Sequence, residues 1–175
     1  EQEVSRLLGV EADLDAEFTL SPPQQEALNQ LKTNLQEKEV CLVHGVTASG
    51  KTEMYIRLIE EYLAKGKQVL YLLPEIGLTT QVIQRLQKIF GTKIGVYHSK
   101  FNDNERAEIW QKVLNGDYQI VLGARSAVFL PFNNLGLVVV DEEHENSFKQ
   151  FDPAPRYHAR DSAIFLASLF KAKVV

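Results

Sequence analysis

Apolar residues recur along this chain with two alternating periods. Leu28, Leu31 and Leu35 share one stripe at spacings of three and four, as the buried face of a helix does. Ser21-Pro22-Pro23-Gln24 opens that helix with an N-cap serine, a proline at the first helical position and a capping-box glutamine. Glu39-Val40-Cys41-Leu42-Val43-His44 is a short apolar run and predicts a buried strand. Helical spacing returns from Glu53 to Ala64, through Tyr55, Leu58, Ile59, Tyr62 and Leu63, and stops at Gly66. Val69-Leu70-Tyr71-Leu72-Leu73 is apolar throughout, the pattern of a strand covered on both faces.

The alternation continues. Val82, Ile83, Leu86, Ile89 and Phe90 mark a helix closed by Gly91, and Ile94 to Tyr97 a further strand. Ile109, Trp110, Val113 and Leu114 form the expected buried stripe of a helix ending at Gly116, followed by strands at Tyr118–Leu122 and Leu137–Val140. Strands and helices at this spacing predict an α/β fold, a mostly parallel sheet with helices on both faces in three αβα layers. Residues 1–19 read as an extension or linker, and 20–175 as the folded unit. Ligands of such sheets gather at the C-terminal ends of the strands.

Composition narrows the picture only a little. A formal net charge of −4 argues against nucleic-acid binding by bulk charge, though not against a local basic surface. The one cysteine, Cys41, sits in an apolar run and reads as a small hydrophobe, and four scattered histidines make no metal-ligand spacing. With no bilayer-length apolar run and no signal segment, a soluble cytoplasmic protein is expected.

Two motifs carry chemistry. Gly45-Val46-Thr47-Ala48-Ser49-Gly50-Lys51-Thr52 fits the phosphate-binding loop at every fixed position, between a predicted strand and a predicted helix. Its glycines let successive backbone N–H groups face one anion. Lys51 brings a positive charge to the outer phosphates, and Thr52 offers a hydroxyl to Mg2+. Asp141-Glu142-Glu143-His144 follows the Leu137–Val140 strand. Two acids there suit an ATPase: Asp141 to hold Mg2+ through water, Glu142 to orient and deprotonate the attacking water.

These motifs, with Leu73-Pro74-Glu75-Ile76-Gly77-Leu78-Thr79, His98-Ser99, Gly123-Ala124-Arg125-Ser126-Ala127, Lys149-Gln150 and Arg156-Tyr157-His158-Ala159-Arg160-Asp161, occur in one order. In that order the chain resembles the DExH-type superfamily 2 helicases. It is most similar to the bacterial primosomal, replication-restart DNA helicases, from about Leu20 onward. The resemblance implies a RecA-like lobe that uses ATP and Mg2+ and acts on DNA, with 3'-5' unwinding. Implied partners are forks and single-stranded DNA, other primosome proteins and single-stranded DNA-binding protein; the implied setting is a monomer in the bacterial cytoplasm, near the nucleoid.

Residue by residue, Gln24 matches the glutamine that reads the adenine edge, and the capping-box role stays open beside it. Pro74, Glu75, Gly77 and Thr79 fall where the family touches the DNA backbone, at a strand end leading into a helix. Arg125, with Ser126, is the candidate for a charge-assisted phosphate bond. Ala124 stands where many members carry threonine, removing a hydroxyl that could reach DNA. Phe148, Lys149, Phe151 and Arg156 belong to a stretch of aromatics and cations suited to single-stranded DNA, in which Tyr157, His158 and Arg160 also fall and which Pro153 and Pro155 keep from becoming a helix. It is similar to the aromatic-rich loop that couples DNA binding to ATP hydrolysis in related helicases.

The family's second lobe, its Ser-Ala-Thr motif, its zinc-binding cysteines and its N-terminal DNA-binding domain have no counterpart in the sequence. The expectation is an excised first lobe that by itself neither turns over ATP appreciably nor unwinds DNA. Zinc is expected only in the missing part of such a parent. Three other readings stay open: a RecG-like translocase, a P-loop kinase, and a non-enzymatic scaffold.

Overall fold

The computed structural model describes residues 19–45, 50–75, 80–98 and 101–175. Apart from Thr19, the expected N-terminal extension lies outside them. The helices are α1 (Pro22–Glu37), α2 (Lys51–Ala64), α3 (Thr80–Phe90), α4 (Asp103–Asn115) and α5 (Ala159–Phe170); the strands are β1 (Gln68–Leu72), β2 (Ile94–Tyr97), β3 (Ile120–Gly123), β4 (Leu135–Val140) and β5 (Lys173–Val174).

The strands form one parallel sheet in the order β2-β3-β1-β4-β5. β1 is central, with Leu72 opposite Gly123 of β3 on one side and Val140 of β4 on the other. Successive strand side chains point to opposite faces. Val69, Tyr71, Ile120, Leu122, Leu137 and Val139 therefore pack under α1, α2 and α3, and Leu70, Leu72, Val121, Val138 and Val140 under α4 and α5. This is the expected three-layer αβα arrangement.

Local chemistry accounts for the element ends. Asn102 caps α4, its side chain accepting from the Glu105 N–H at 3.0 Å while Glu105 Oε2 accepts from the Asn102 N–H at 2.9 Å. Gly116, at φ 81°, closes the same helix in the left-handed region that glycine enters without strain. The buried amide of Gln68 is fully used: Nε2 donates to Val113 and Tyr118 carbonyls, and Oε1 accepts from the Asn133 and Asn134 N–H groups. It knits β1 to the end of α4 and to the turn before β4.

Three elements depart from the sequence reading. The first is α4, where Ile109 and Val113 are buried but Trp110 and Leu114 are exposed. The buried strand expected at Glu39–His44 is a single parallel bridge, Val40 with Val174, and Leu42 is 77% exposed. Its hydrogen bonds run to β5, from the Cys41 N–H to Val174 O and from the Val174 N–H to Glu39 O. α5, which the apolar pattern did not mark, packs Ala159, Ala163 and Ala167 against the sheet while Phe165 and Leu169 are 66% and 65% exposed.

Candidate nucleotide site and nucleic-acid face

The chemistry-bearing segments meet at the C-terminal edge of the sheet. Gly50, at φ 79° and ψ 26°, turns the chain into α2, and Lys51 is that helix's first residue. The Lys51 ammonium donates to the Gly45 carbonyl at 2.8 Å and lies 3.6 Å from Glu142 Oε1. Val46, Thr47, Ala48 and Ser49 lie outside the described residues. Gln24, at the start of α1, reaches the same loop. Its Oε1 accepts from the Ser21 N–H at 2.8 Å, the capping-box bond, and its Nε2 donates to the Gly50 carbonyl at 3.4 Å.

Asp141 extends the pairing of β4 by one residue, its N–H donating to the Leu72 carbonyl at 3.0 Å. Both carboxylate oxygens are engaged: Oδ2 accepts from the Tyr71 hydroxyl at 2.8 Å and Oδ1 from the Glu142 N–H at 3.1 Å. Burial pushes the Asp141 carboxyl above its ordinary pKa, and the Glu142 charge adds to the rise against the opposing effects of Tyr71 and Lys51. Glu142 itself has φ 51°, a conformation uncommon outside glycine and often found at functional sites. His144 Nε2 stands 3.8 Å from its other oxygen. A cavity of about 540 Å³ opens here, lined among others by His44, Gly45, Lys51, Asp141, Glu142 and Arg160.

The donor set fits Mg2+. The Glu142 carboxylate faces the Lys51 ammonium, Tyr71 orients one oxygen of Asp141 beside it, and the available ligand atoms are hard oxygens. No cluster of three or more His, Cys, Asp or Glu among the described residues could hold a metal unaided. Tyr71 escaped the sequence reading, because a tyrosine inside an apolar run reads as core.

The residues expected on the nucleic-acid face divide into three sets. Gly77 and Thr79 lie outside the described residues; next to them Pro74 is buried and Glu75 exposed. Arg125 and Ser126 begin a short 3₁₀ turn after β3. Arg125 Nη1 donates to the Ser147 and Lys149 carbonyls at 3.3 and 3.2 Å, bracing the aromatic stretch. The Ala124 side chain packs into the core.

The aromatic stretch is a small hairpin. Lys149 bridges His158 in antiparallel fashion, the Gln150 N–H donates to the Tyr157 carbonyl at 2.8 Å, and the Gln150 amide donates to the Pro153 and Pro155 carbonyls across the loop. Phe151 is 60% exposed, with Lys149 Nζ 4.9 Å from its ring centre, and Arg156 is exposed. Tyr157 packs edge-on against Phe129. Two expectations change. Phe148 is wholly buried among the residues under α5, so direct contact with DNA is closed to it. Arg160 donates to Glu143 Oε2 at 2.7 Å and to Asp161, tying the hairpin's base to the acidic turn.

Comparison with known proteins agrees with this geometry. The sequence model of the DEAD/DEAH box helicase family matches residues 21–168. The replication restart protein PriA of Bacillus subtilis is 44% identical over 158 residues, 89% of this chain and 20% of that protein. PriA of Haemophilus influenzae is 48% identical over 158 residues, 90% of this chain and 21% of that protein. The chain thus spans about a fifth of the length of these relatives. Among solved structures, RecG bound to a three-way DNA junction aligns with TM-score 0.57 at 18% identity, covering 99% of this chain and 27% of RecG. The Type ISP restriction-modification enzyme LlaGI, in complex with a DNA substrate mimic, aligns at 0.59 and 16%, covering 90% of this chain and 17% of LlaGI. These two likenesses concern the fold. A family match running from the first turn of α1 almost to the end of α5, over a sheet that gathers Lys51, Asp141 and Glu142 at one edge, places the chain in the DEAD/DEAH box helicase family.

Proposed function

We propose that this chain is the ATP-binding first motor lobe of a PriA-like DNA helicase, one that works in replication restart on forks and single-stranded DNA in the bacterial cytoplasm. The observation that carries the reading is the meeting of Lys51 with Glu142, 3.6 Å apart, beside an Asp141 whose two oxygens are already oriented. Lys51 is placed to hold the outer phosphates of ATP, with the N–H groups at the start of α2 behind it. Glu142 is placed to orient and deprotonate a water. Thr52 and Asp141 would hold Mg2+, which when bound neutralises charge developing on the phosphates. In the free lobe Lys51 neutralises Glu142; arriving phosphates compete for that ammonium and release the carboxylate for its role as base.

DNA enters through the hairpin. Phe151 presents a ring face for a base, and Lys149 and Arg156 present cations for phosphates. A base stacked on Phe151 orders the 149–158 hairpin, and Arg160 transmits that order to Glu143, the neighbour of Glu142. Arg125 serves this route as a brace on the Ser147 and Lys149 carbonyls. Complete hydrolysis needs a second lobe, whose arginines stabilise the transition state. Interaction with other primosome proteins and with single-stranded DNA-binding protein follows from the same likeness.

The test is Arg160→Gln in the intact two-lobe protein. DNA-stimulated ATP turnover should fall more than basal turnover, with single-stranded DNA affinity retained. A loss of DNA affinity would make Arg160 a phosphate contact, and unchanged stimulation would remove the coupling route.

A further inference from the structure

β1 is aliphatic from Val69 to Leu72 except at one position. Tyr71 stands on the central strand with its side chain buried. A hydroxyl buried in such a strand is unfavourable unless it is bonded, and a valine or leucine would fill the layer without that liability. The ring meets Tyr55 edge-on, with centroids 6.1 Å apart and planes at 87°, and this contact helps hold the phenol toward the C-terminal edge of the sheet. There its hydroxyl donates to Asp141 Oδ2 at 2.8 Å. Tyr71 belongs to β1 and Asp141 follows β4, so the phenol joins two strands that are far apart in sequence.

We propose that Tyr71 is a positioning residue for the divalent cation of the nucleotide site. Its hydroxyl sets the Asp141 carboxylate in one arrangement before the cation and phosphates arrive. Mg2+ tolerates little departure from octahedral geometry, so ligands left free to rotate bind it poorly, and groups that orient a ligand affect metal affinity although they never touch the metal. Asp141 Oδ1 is fixed by the Glu142 N–H; Tyr71 fixes the other oxygen, so the carboxylate plane is determined from both sides. The inference rests on the nucleotide-site reading above. Its rival is a phenol whose hydrogen bond satisfies only its own burial.

Tyr71→Phe keeps the ring and removes the hydroxyl. One readout is the Mg2+ dependence of ATP turnover by the intact two-lobe protein. The other is the affinity of this chain for a fluorescent ADP analogue, measured in EDTA and across a Mg2+ titration. The Mg2+ midpoint should rise roughly tenfold in both, the usual scale for losing such an orienting partner. Turnover should recover at high Mg2+, and the affinity in EDTA should equal that of the wild type. Unchanged midpoints with only a lowered melting temperature would overturn the proposal and leave Tyr71 a structural residue. Failure of the underlying site reading is separately visible, because Lys51→Ala would then bind the analogue as well as the wild type does.

Discussion

Phe148 and Phe151 lie three residues apart in one motif, and the structure gives them opposite fates. Phe151 is 60% exposed, so its ring has only two-fifths of its surface to lose. At roughly 1.5–3 kcal/mol for a fully buried ring, Phe151→Ala should cost about 1 kcal/mol of stability. Phe148 is wholly buried, and Phe148→Ala should cost ~3–5 kcal/mol. The ranking inverts for DNA. Base stacking on an aromatic side chain is worth ~1–3 kcal/mol, so Phe151→Ala should weaken single-stranded DNA binding by about fivefold to a hundredfold. Thermal melting of this chain measures the first pair of numbers. Fluorescence anisotropy with a labelled oligonucleotide, on the intact two-lobe protein, measures the last. Adding Lys149→Ala to Phe151→Ala should lower DNA-stimulated turnover well below that of the wild type while basal turnover falls much less. Equal losses in basal and stimulated turnover, or an unchanged oligonucleotide affinity, would refute the assignment of the hairpin as the DNA sensor.

Two further outcomes follow from the nucleotide end. Gly50→Ala should cost ~1–2 kcal/mol, because φ 79° strains any residue with a Cβ. The new methyl would also meet Gln24 Nε2, but that is the tip of a flexible side chain, so most of the loss should persist in a Gln24→Ala background; full recovery there would make the clash the cause. Asp141 has a folded pKa above its unfolded value of 3.8. Between the two values the native state binds more protons, so stability falls as pH rises through that window and the cost persists at neutral pH. In Mg2+-free buffer Asp141→Asn should therefore melt higher than the wild type at pH 7, and the gap should close as the pH approaches the unfolded value. A lower melting temperature at pH 7 would contradict this.

Much of the architecture was legible in periodicity. β1 to β4 and α1 to α4 fall where apolar runs and three-four spacing put them, although in α4 only Ile109 and Val113 of the expected stripe are buried and Trp110 and Leu114 are exposed. α5 escapes that pattern: its fully buried stripe is Ala159, Ala163 and Ala167, while Ile164, Leu166 and Phe170 are half-buried and Phe165 and Leu169 face solvent, so bulky apolar spacing does not mark one buried face. The Val40–Val43 run fails for another reason, since an apolar run specifies burial only where neighbours exist to cover it. At the site, the two motifs gave Lys51, Asp141 and Glu142 directly. Gln24 bonds to the Ser21 N–H in the capping-box manner, and its reach to Gly50 depends on how α1 packs. Tyr71 and the Arg160–Glu143 pair depend on tertiary placement, and no local spacing encodes them.

The most direct measurement is an equilibrium titration of this chain with a fluorescent ATP analogue in the presence of Mg2+, wild type against Lys51→Ala. If Gly50, Lys51 and Thr52 face Asp141 and Glu142 across a nucleotide, the wild type saturates and Lys51→Ala binds at least about tenfold more weakly, the loss of one charge-assisted contact. Superimposable curves for the two proteins would contradict the assignment of this edge of the sheet as the nucleotide site.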